Sequence, residues 1–337
     1  MEGASGPEAH GLAQQDVGPG RPQGRIGALN VLAYIVLAIS LSFFIASIAL
    51  VFSPTWFPHL STAISPYIFV LLLAFYLPTS SALAVSIAVF VVYSCLFAAM
   101  VYMSRRQASS VLDTPVGYFT LVSSSLYLIV YVVSLAEISS GVSIGGSSIS
   151  NELTQHPLLG FLSLIYAPFA EEIGFRIIPL GILTLVLVLR AASGRGSARD
   201  VVLSFVSPGT VRRKYGIRFG TADYAMIVFT AAVWAYAHIF FGAWSWGKFL
   251  PVFIAGIAIA VGFLKFGIYV DIPMHWFFNG FFTVYVLNSS LLAASSIALV
   301  FILIVGVVGI VAVILYLSSY FRRPQRPVAE EQQVNQT

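Results

Sequence analysis

Nine apolar runs, at about 27–52, 62–78, 81–103, 116–138, 157–190, 222–243, 248–267, 271–288 and 292–320, constrain what this 337-residue chain can fold into. A helix needs ~20 residues to cross the ~30 Å hydrocarbon layer of a bilayer, and most of the runs come near that length. They are continuous rather than alternating, which excludes a β-barrel, and in lipid only an α-helix then satisfies the backbone. Composition agrees: 58% of residues are hydrophobic and 9% charged, where soluble domains carry ~25% charged. The chain is read as an all-α polytopic membrane protein of about eight transmembrane helices with disordered polar tails.

The tails differ in kind from the body. Residues 1–26 are rich in Gly, Pro and Gln without an apolar period, and residues 321–337 are polar again; both are expected to be disordered. Between them, 27–320 forms one helical domain. The net charge of +4 does not suggest nucleic acid, because the basic residues sit in short loops beside apolar runs. Arg21 and Arg25, Arg105 and Arg106, the cluster from Arg190 to Arg218, and Arg322, Arg323 and Arg326 all fall on one side if 62–103 crosses once. In that topology 62–78 is re-entrant or interfacial, and both termini are cytoplasmic. The single cysteine, Cys95, can form no internal disulfide.

Within the apolar body a few polar residues stand out. Glu171, Glu172 and Arg176 lie together inside the run 157–189, where each ionised side chain costs at least ~2.5 kcal/mol. Glu172 and Arg176, four residues apart, share a helix face and can pair. Glu171 is rotated by roughly 100° and is left the less neutralised carboxylate, free to work on water. His238 sits in a second run. His275 and Asn279, again four apart, share a face in a third, where imidazole and amide N–H groups pointing one way suit an oxyanion hole. The other histidines, His10, His59 and His156, fall in the tail or loops. Each pattern alone has an ordinary structural explanation, such as an ion pair pinning helices or an interfacial histidine. Their joint occurrence on three runs points to an active site inside the membrane. Trp244 and Trp246 read as interfacial belt residues.

EExxxR at Glu171, Glu172 and Arg176, an aromatic-xxxH at Trp234 and His238, and HxxxN at His275 and Asn279 resemble, in that order, the CPBP family. That family includes CAAX-type prenyl-protein endopeptidases and bacteriocin-processing or immunity proteins. The resemblance covers about 157–288, the expected catalytic core. Trp234 stands where the family usually has Phe, and Asp271 adds an acid ahead of His275. What the resemblance implies is an eight-helix intramembrane endopeptidase unlike soluble proteases. Its Glu171 and His238 would activate water, and His275 and Asn279 would stabilise the oxyanion. The substrate would be a membrane-anchored peptide or a prenylated protein C-terminus in the lipid bilayer. No cofactor is required by this reading. Zinc is allowed, with Glu171, His238 and His275 as its ligands, although no H-E-x-x-H motif is present. Two other readings use the same residues: a proton or cation relay in a transporter, and a catalytically silent scaffold or immunity protein.

Helix arithmetic sets one further expectation. Glu172 lies ~27 Å and His238 ~22 Å from the charged ends of their helices, whereas His275 lies only ~6 Å from Asp271. For the three to meet, Gly267–Pro273 is expected to dip inward as extended chain, with the His275 helix starting inside the membrane envelope.

Overall fold

The computed structural model describes residues 27–105, 110–280, 283, 287 and 292–322, so residues 1–26 and 323–337 of the expected tails lie outside the described residues, while Phe321 and Arg322, expected in the disordered tail, end the last helix. Among these, seven helices are long and apolar enough to cross a membrane: Ala28–Val51, Ala82–Ser104, Pro115–Ser139, Pro157–Ala191, Thr221–Phe240, Trp246–Phe266 and Ser296–Ser318. They correspond to seven of the eight expected spans. The other, 271–288, begins within a helix at Ile268–Gly280, and most of its later residues fall outside the described set. The chain is an all-α polytopic membrane protein.

In chain order the helices are α1 (Ala28–Val51), α2 (Ala82–Ser104), α3 (Pro115–Gly117), α4 (Ser123–Ser139), α5 (Ser147–Gln155), α6 (Pro157–Glu172), α7 (Ile178–Ala191), α8 (Ala198–Val206), α9 (Pro208–Lys214), α10 (Thr221–Phe240), α11 (Phe249–Phe266), α12 (Ile268–Gly280) and α13 (Leu292–Arg322). A π-helical turn joins α3 to α4, and another, Ile173–Ile177, joins α6 to α7. The most secluded of the apolar helices is α12, buried from Tyr269 through Phe277. Its Trp276 is enclosed edge-on by Phe44 of α1 at 5.9 Å and Phe97 of α2 at 5.8 Å, with Tyr93 of α2 at 5.9 Å. These aromatic contacts fix the helix that carries His275 and Asn279 at the bundle centre.

The run 62–78 does not cross. Ala63–Ile64 (β1) pairs with Ser80–Ser81 (β4), and Tyr67–Val70 (β2) pairs antiparallel with Leu73–Tyr76 (β3). Pro66 and Pro78 interrupt any helix here, while Tyr, Ile, Phe and Val suit a pleated strand. The hairpin leans on the α6–α7 junction. Tyr166 donates to the Tyr67 carbonyl at 2.8 Å. The Phe69 carbonyl presses so closely on Gly174 that a Cβ there would fall 2.2 Å away.

The depth expectation is half right. No regular helix runs from Lys265 through Asn279, because Gly267, at φ +97°, separates α11 from α12. The extended stretch to Pro273 is absent, however, and α12 is helical from Ile268 with Pro273 inside it. One glycine in a backbone conformation rarely open to other residues makes the break without extended chain. The depths match by another route. The unit Pro157–Ala191 is 35 residues long, ~52 Å as helix and far beyond the hydrocarbon thickness. Helix α8 folds back along α7 until Phe205 meets Gly181, and Gly267 packs on Val206 and Ser207. Gly267 therefore lies near the level of Gly181, not at the tip of α7. From there Glu172 and His275 are each ~12–14 Å inward.

Candidate active site

Proline chemistry opens the site. Pro168 inside α6 has no N–H, so the Leu164 carbonyl loses its helical partner. The Asn279 amide Nδ2 takes that place at 3.4 Å, joining α12 to α6. One turn further along α6, Glu172 Oε1 accepts from Arg176 Nη1 at 3.0 Å and from His275 Nδ1 at 2.6 Å. Glu172 and Arg176 are fully buried and His275 is 1% exposed. A carboxylate only accepts, so the proton of that short bond sits on His275 Nδ1. In the neutral ring Nε2 is then the acceptor, and Asn279 Nδ2 lies 3.2 Å from it. Arg176, Glu172, His275 and Asn279 form one chain of hydrogen bonds across the α6–α7 junction and α12.

The neighbouring carboxylate has different surroundings. Glu171 keeps about 15% of its side chain exposed, and its Oε2 accepts from the Trp234 indole at 2.6 Å. The same oxygen lies 3.7 Å from His275 Nε2. The Trp234 ring also carries the Arg176 guanidinium on its face at 3.9 Å, a contact worth up to ~2 kcal/mol when desolvated. A Cβ on Gly256 would come within 3.0 Å of both groups, so the small residue lets α11 approach them. One turn along α10, His238 Nδ1 is 3.0 Å from the Trp234 carbonyl. A carbonyl cannot donate, so Nδ1 holds the proton and the neutral ring has Nε2 as its bare, basic nitrogen.

Glu171, His238 and Asn279 line one cavity of about 390 Å³, while Glu172, Arg176 and His275 are not on its wall. All six expected residues are therefore brought together, in two ranks. The hairpin adds Tyr67 and Phe69 to the cavity wall, and Lys248 and Glu152 bring opposite charges to it. Trp244, expected in the interfacial belt, also lines the cavity, its ring against Gly146 with the Lys248 ammonium at 4.1 Å. Trp246 is 66% exposed.

The structure also shows what the motifs concealed. Trp234, standing where the family usually has Phe, bonds Glu171 through an indole N–H that a phenylalanine lacks. Asp271 is fully buried with its carboxyl against that of Glu172. As a zinc ligand set, Glu171, His238 and His275 do not fit. The Trp234 ring stands edge-on to both imidazoles, at 5.2 and 5.0 Å, and its indole N–H occupies the Glu171 oxygen. Among the described residues no group of three His, Cys, Asp or Glu side chains could hold a metal ion.

Residues 153–281 match the family model described as type II CAAX prenyl endopeptidase Rce1-like. The matched stretch runs from the end of α5 to just past α12 and contains all six site residues and Trp234. No curated protein and no solved structure matches the chain. The chain is a multi-pass helical membrane protein whose segment 153–281 is similar to the Rce1-like CAAX prenyl endopeptidases, with the three motifs in order inside it.

Proposed function

We propose that the protein is an intramembrane endopeptidase that hydrolyses a peptide bond in a membrane-associated substrate, a prenylated protein C-terminus being the substrate class. The observation that carries this reading is the division of the six polar residues. Three reach a common cavity, and three brace them from behind. Glu171 and the bare Nε2 of His238 hold a water between them and take its proton as it attacks the scissile carbonyl carbon. Asn279, in contact with His275, meets the oxygen that becomes negative. Its 3.4 Å bond to Leu164 is the weaker of its two contacts and frees an N–H for that oxygen. As the C–N bond breaks, the abstracted proton passes to the departing nitrogen. The Glu172–Arg176 pair holds His275 and does not touch the substrate. The basic loops and both termini face the cytoplasm in this proposal.

Purified protein in detergent tests it with farnesylated and unmodified versions of one peptide. Wild type should cleave the farnesylated form. His238→Ala and Asn279→Ala should each lose ~10²–10³-fold in kcat/KM, the scale of a general base or an oxyanion donor. Cleavage at wild-type rates by both variants would remove these residues from the mechanism.

A further inference from the structure

At the basic end of the bundle two separate cavities share part of their walls. One, of about 530 Å³, is lined by Arg212, Arg213, Lys265 and Asp113; the other, of about 570 Å³, has walls such as Leu126, Ile129, Val261 and Ile314. Phe219 and Lys265 line both. Counted along the helices, they lie ~13–15 Å from the cavity of Glu171: Lys265 is nine residues from Gly256 on α11, and Tyr224 ten from Trp234 on α10. Among the described residues none lines both the catalytic cavity and either of these two.

The polar half contains an unfinished recognition group. Arg212 is 3% exposed and spends Nη2 on Asp223 at 2.5 Å. Among the described residues its Nε and Nη1 are buried without a hydrogen-bond partner, and buried donors left unmatched are costly. Lys265 is bonded to Asp113 at 3.2 Å, to the Leu112 carbonyl at 3.3 Å and to Tyr316 at 3.2 Å. Arg213 stands exposed on the same wall, with a weak 3.4 Å contact to Thr210. Three cations against the carboxylates Asp113 and Asp223 leave one positive charge, which a single phosphodiester matches. The guanidinium fork of Arg212 presents planar paired donors of the kind that phosphate oxygens accept. The apolar half, between α4, α11 and α13, has the lining an alkyl chain needs.

We propose that these adjoining cavities together hold one anionic phospholipid, with its phosphate against Arg212 and Arg213 and an acyl chain between α4, α11 and α13. Basic pockets between transmembrane helices bind anionic head groups in this manner. The proposal does not depend on the peptidase reading. The lipid is a bound component that ties α9 to α11 and α13.

The full chain, delipidated in detergent, tests this by native mass spectrometry and thermal unfolding with phosphatidylglycerol, phosphatidylcholine or inorganic phosphate added. Phosphatidylglycerol should bind one per chain and raise the unfolding midpoint, and the other two should not. Arg212→Gln, and Arg213→Gln in case loss of the Asp223 pair unfolds the first variant, should weaken that binding about tenfold. Val261→Trp, which fills the apolar half, should weaken it too. Equal binding of phosphatidylcholine, an equal shift with inorganic phosphate, or Arg213→Gln and Val261→Trp both binding like wild type would overturn the proposal.

Discussion

Glu172→Gln leaves an oxygen within reach of Arg176 and His275 and removes only the charge. Arg176 then loses its bonded carboxylate, and Asp271 is the buried acid left near it. Arg176 is fully buried, Nη1 has Glu172 as its partner at 3.0 Å, and Nε and Nη2 have none. The indole face at 3.9 Å offers at most ~2 kcal/mol. Neutralising one member of a buried pair costs ~3–5 kcal/mol, because the other charge stays in a poor solvent. Arg176→Met should cost a similar amount, by leaving Glu172 and the nearby Asp271 without their cation. Replacing both members at once removes the uncompensated charge, and such replacements are often close to neutral. The double variant Glu172→Gln/Arg176→Met is therefore expected within ~2 kcal/mol of wild type, with a coupling energy of at least ~3 kcal/mol. Equilibrium unfolding in mixed micelles, followed by tryptophan fluorescence, measures all four corners of the cycle. A double variant as unstable as the two single losses added together would refute this account of the pair.

Other perturbations probe separate parts of the structure. Trp234→Phe removes the 2.6 Å bond to Glu171; a hydrogen bond to a charged group contributes ~1.5–3 kcal/mol, so kcat/KM should fall about tenfold to a hundredfold while unfolding stays cooperative. Gly174→Ala places a Cβ 2.2 Å from the Phe69 carbonyl, and overpacking of this kind costs ~1–3 kcal/mol; faster proteolysis within 67–76 should report the displaced hairpin. Gly267→Ala meets both the positive φ and the Val206 carbonyl at 2.1 Å, and should lower the unfolding midpoint more than Gly216→Ala, which has open space around its Cβ. The fourth concerns pH. The Lys214 ammonium, with Ser197 and Tyr215, holds the Asp200 carboxyl well below the usual carboxylate range. A depressed carboxyl contributes stability above its unfolded value, near ~3.9, and loses it as pH falls further. Hydrogen exchange of α8 should thus be independent of this group from neutrality to about pH 5 and accelerate below about pH 4. Asp200→Asn should abolish that acid step.

The site was readable because lipid makes polar residues conspicuous. Glu171, Glu172, Arg176, His238, His275 and Asn279 stand out only against apolar runs, and helix spacing correctly pairs Glu172 with Arg176 and His275 with Asn279. The hairpin was not readable as such. A short apolar run between prolines fits a re-entrant piece as well as two strands, and the contacts that decide are with Gly174 and Tyr166, nearly a hundred residues away. The depth puzzle had a similar cause. Arithmetic along each helix assumed that all of them end at one level, whereas α8 turns back beside α7 and sets the start of α12 at the level of Gly181. Trp234 was legible as an aromatic, but its indole N–H matters only because α10 places it against Glu171.

The central claim is that Glu171 activates the water that cleaves a membrane-anchored peptide. Its most direct test is product analysis by mass spectrometry of one farnesylated peptide, incubated with wild-type protein and with Glu171→Gln. The glutamine variant retains the size of the side chain and can still accept from Trp234, so its fold should be unchanged by thermal unfolding. The account predicts a single cleaved bond with wild type and a rate lowered ~10²–10⁴-fold in the variant, the range for loss of a general base. Cleavage by folded Glu171→Gln at the wild-type rate, or no product from folded wild type, would contradict it.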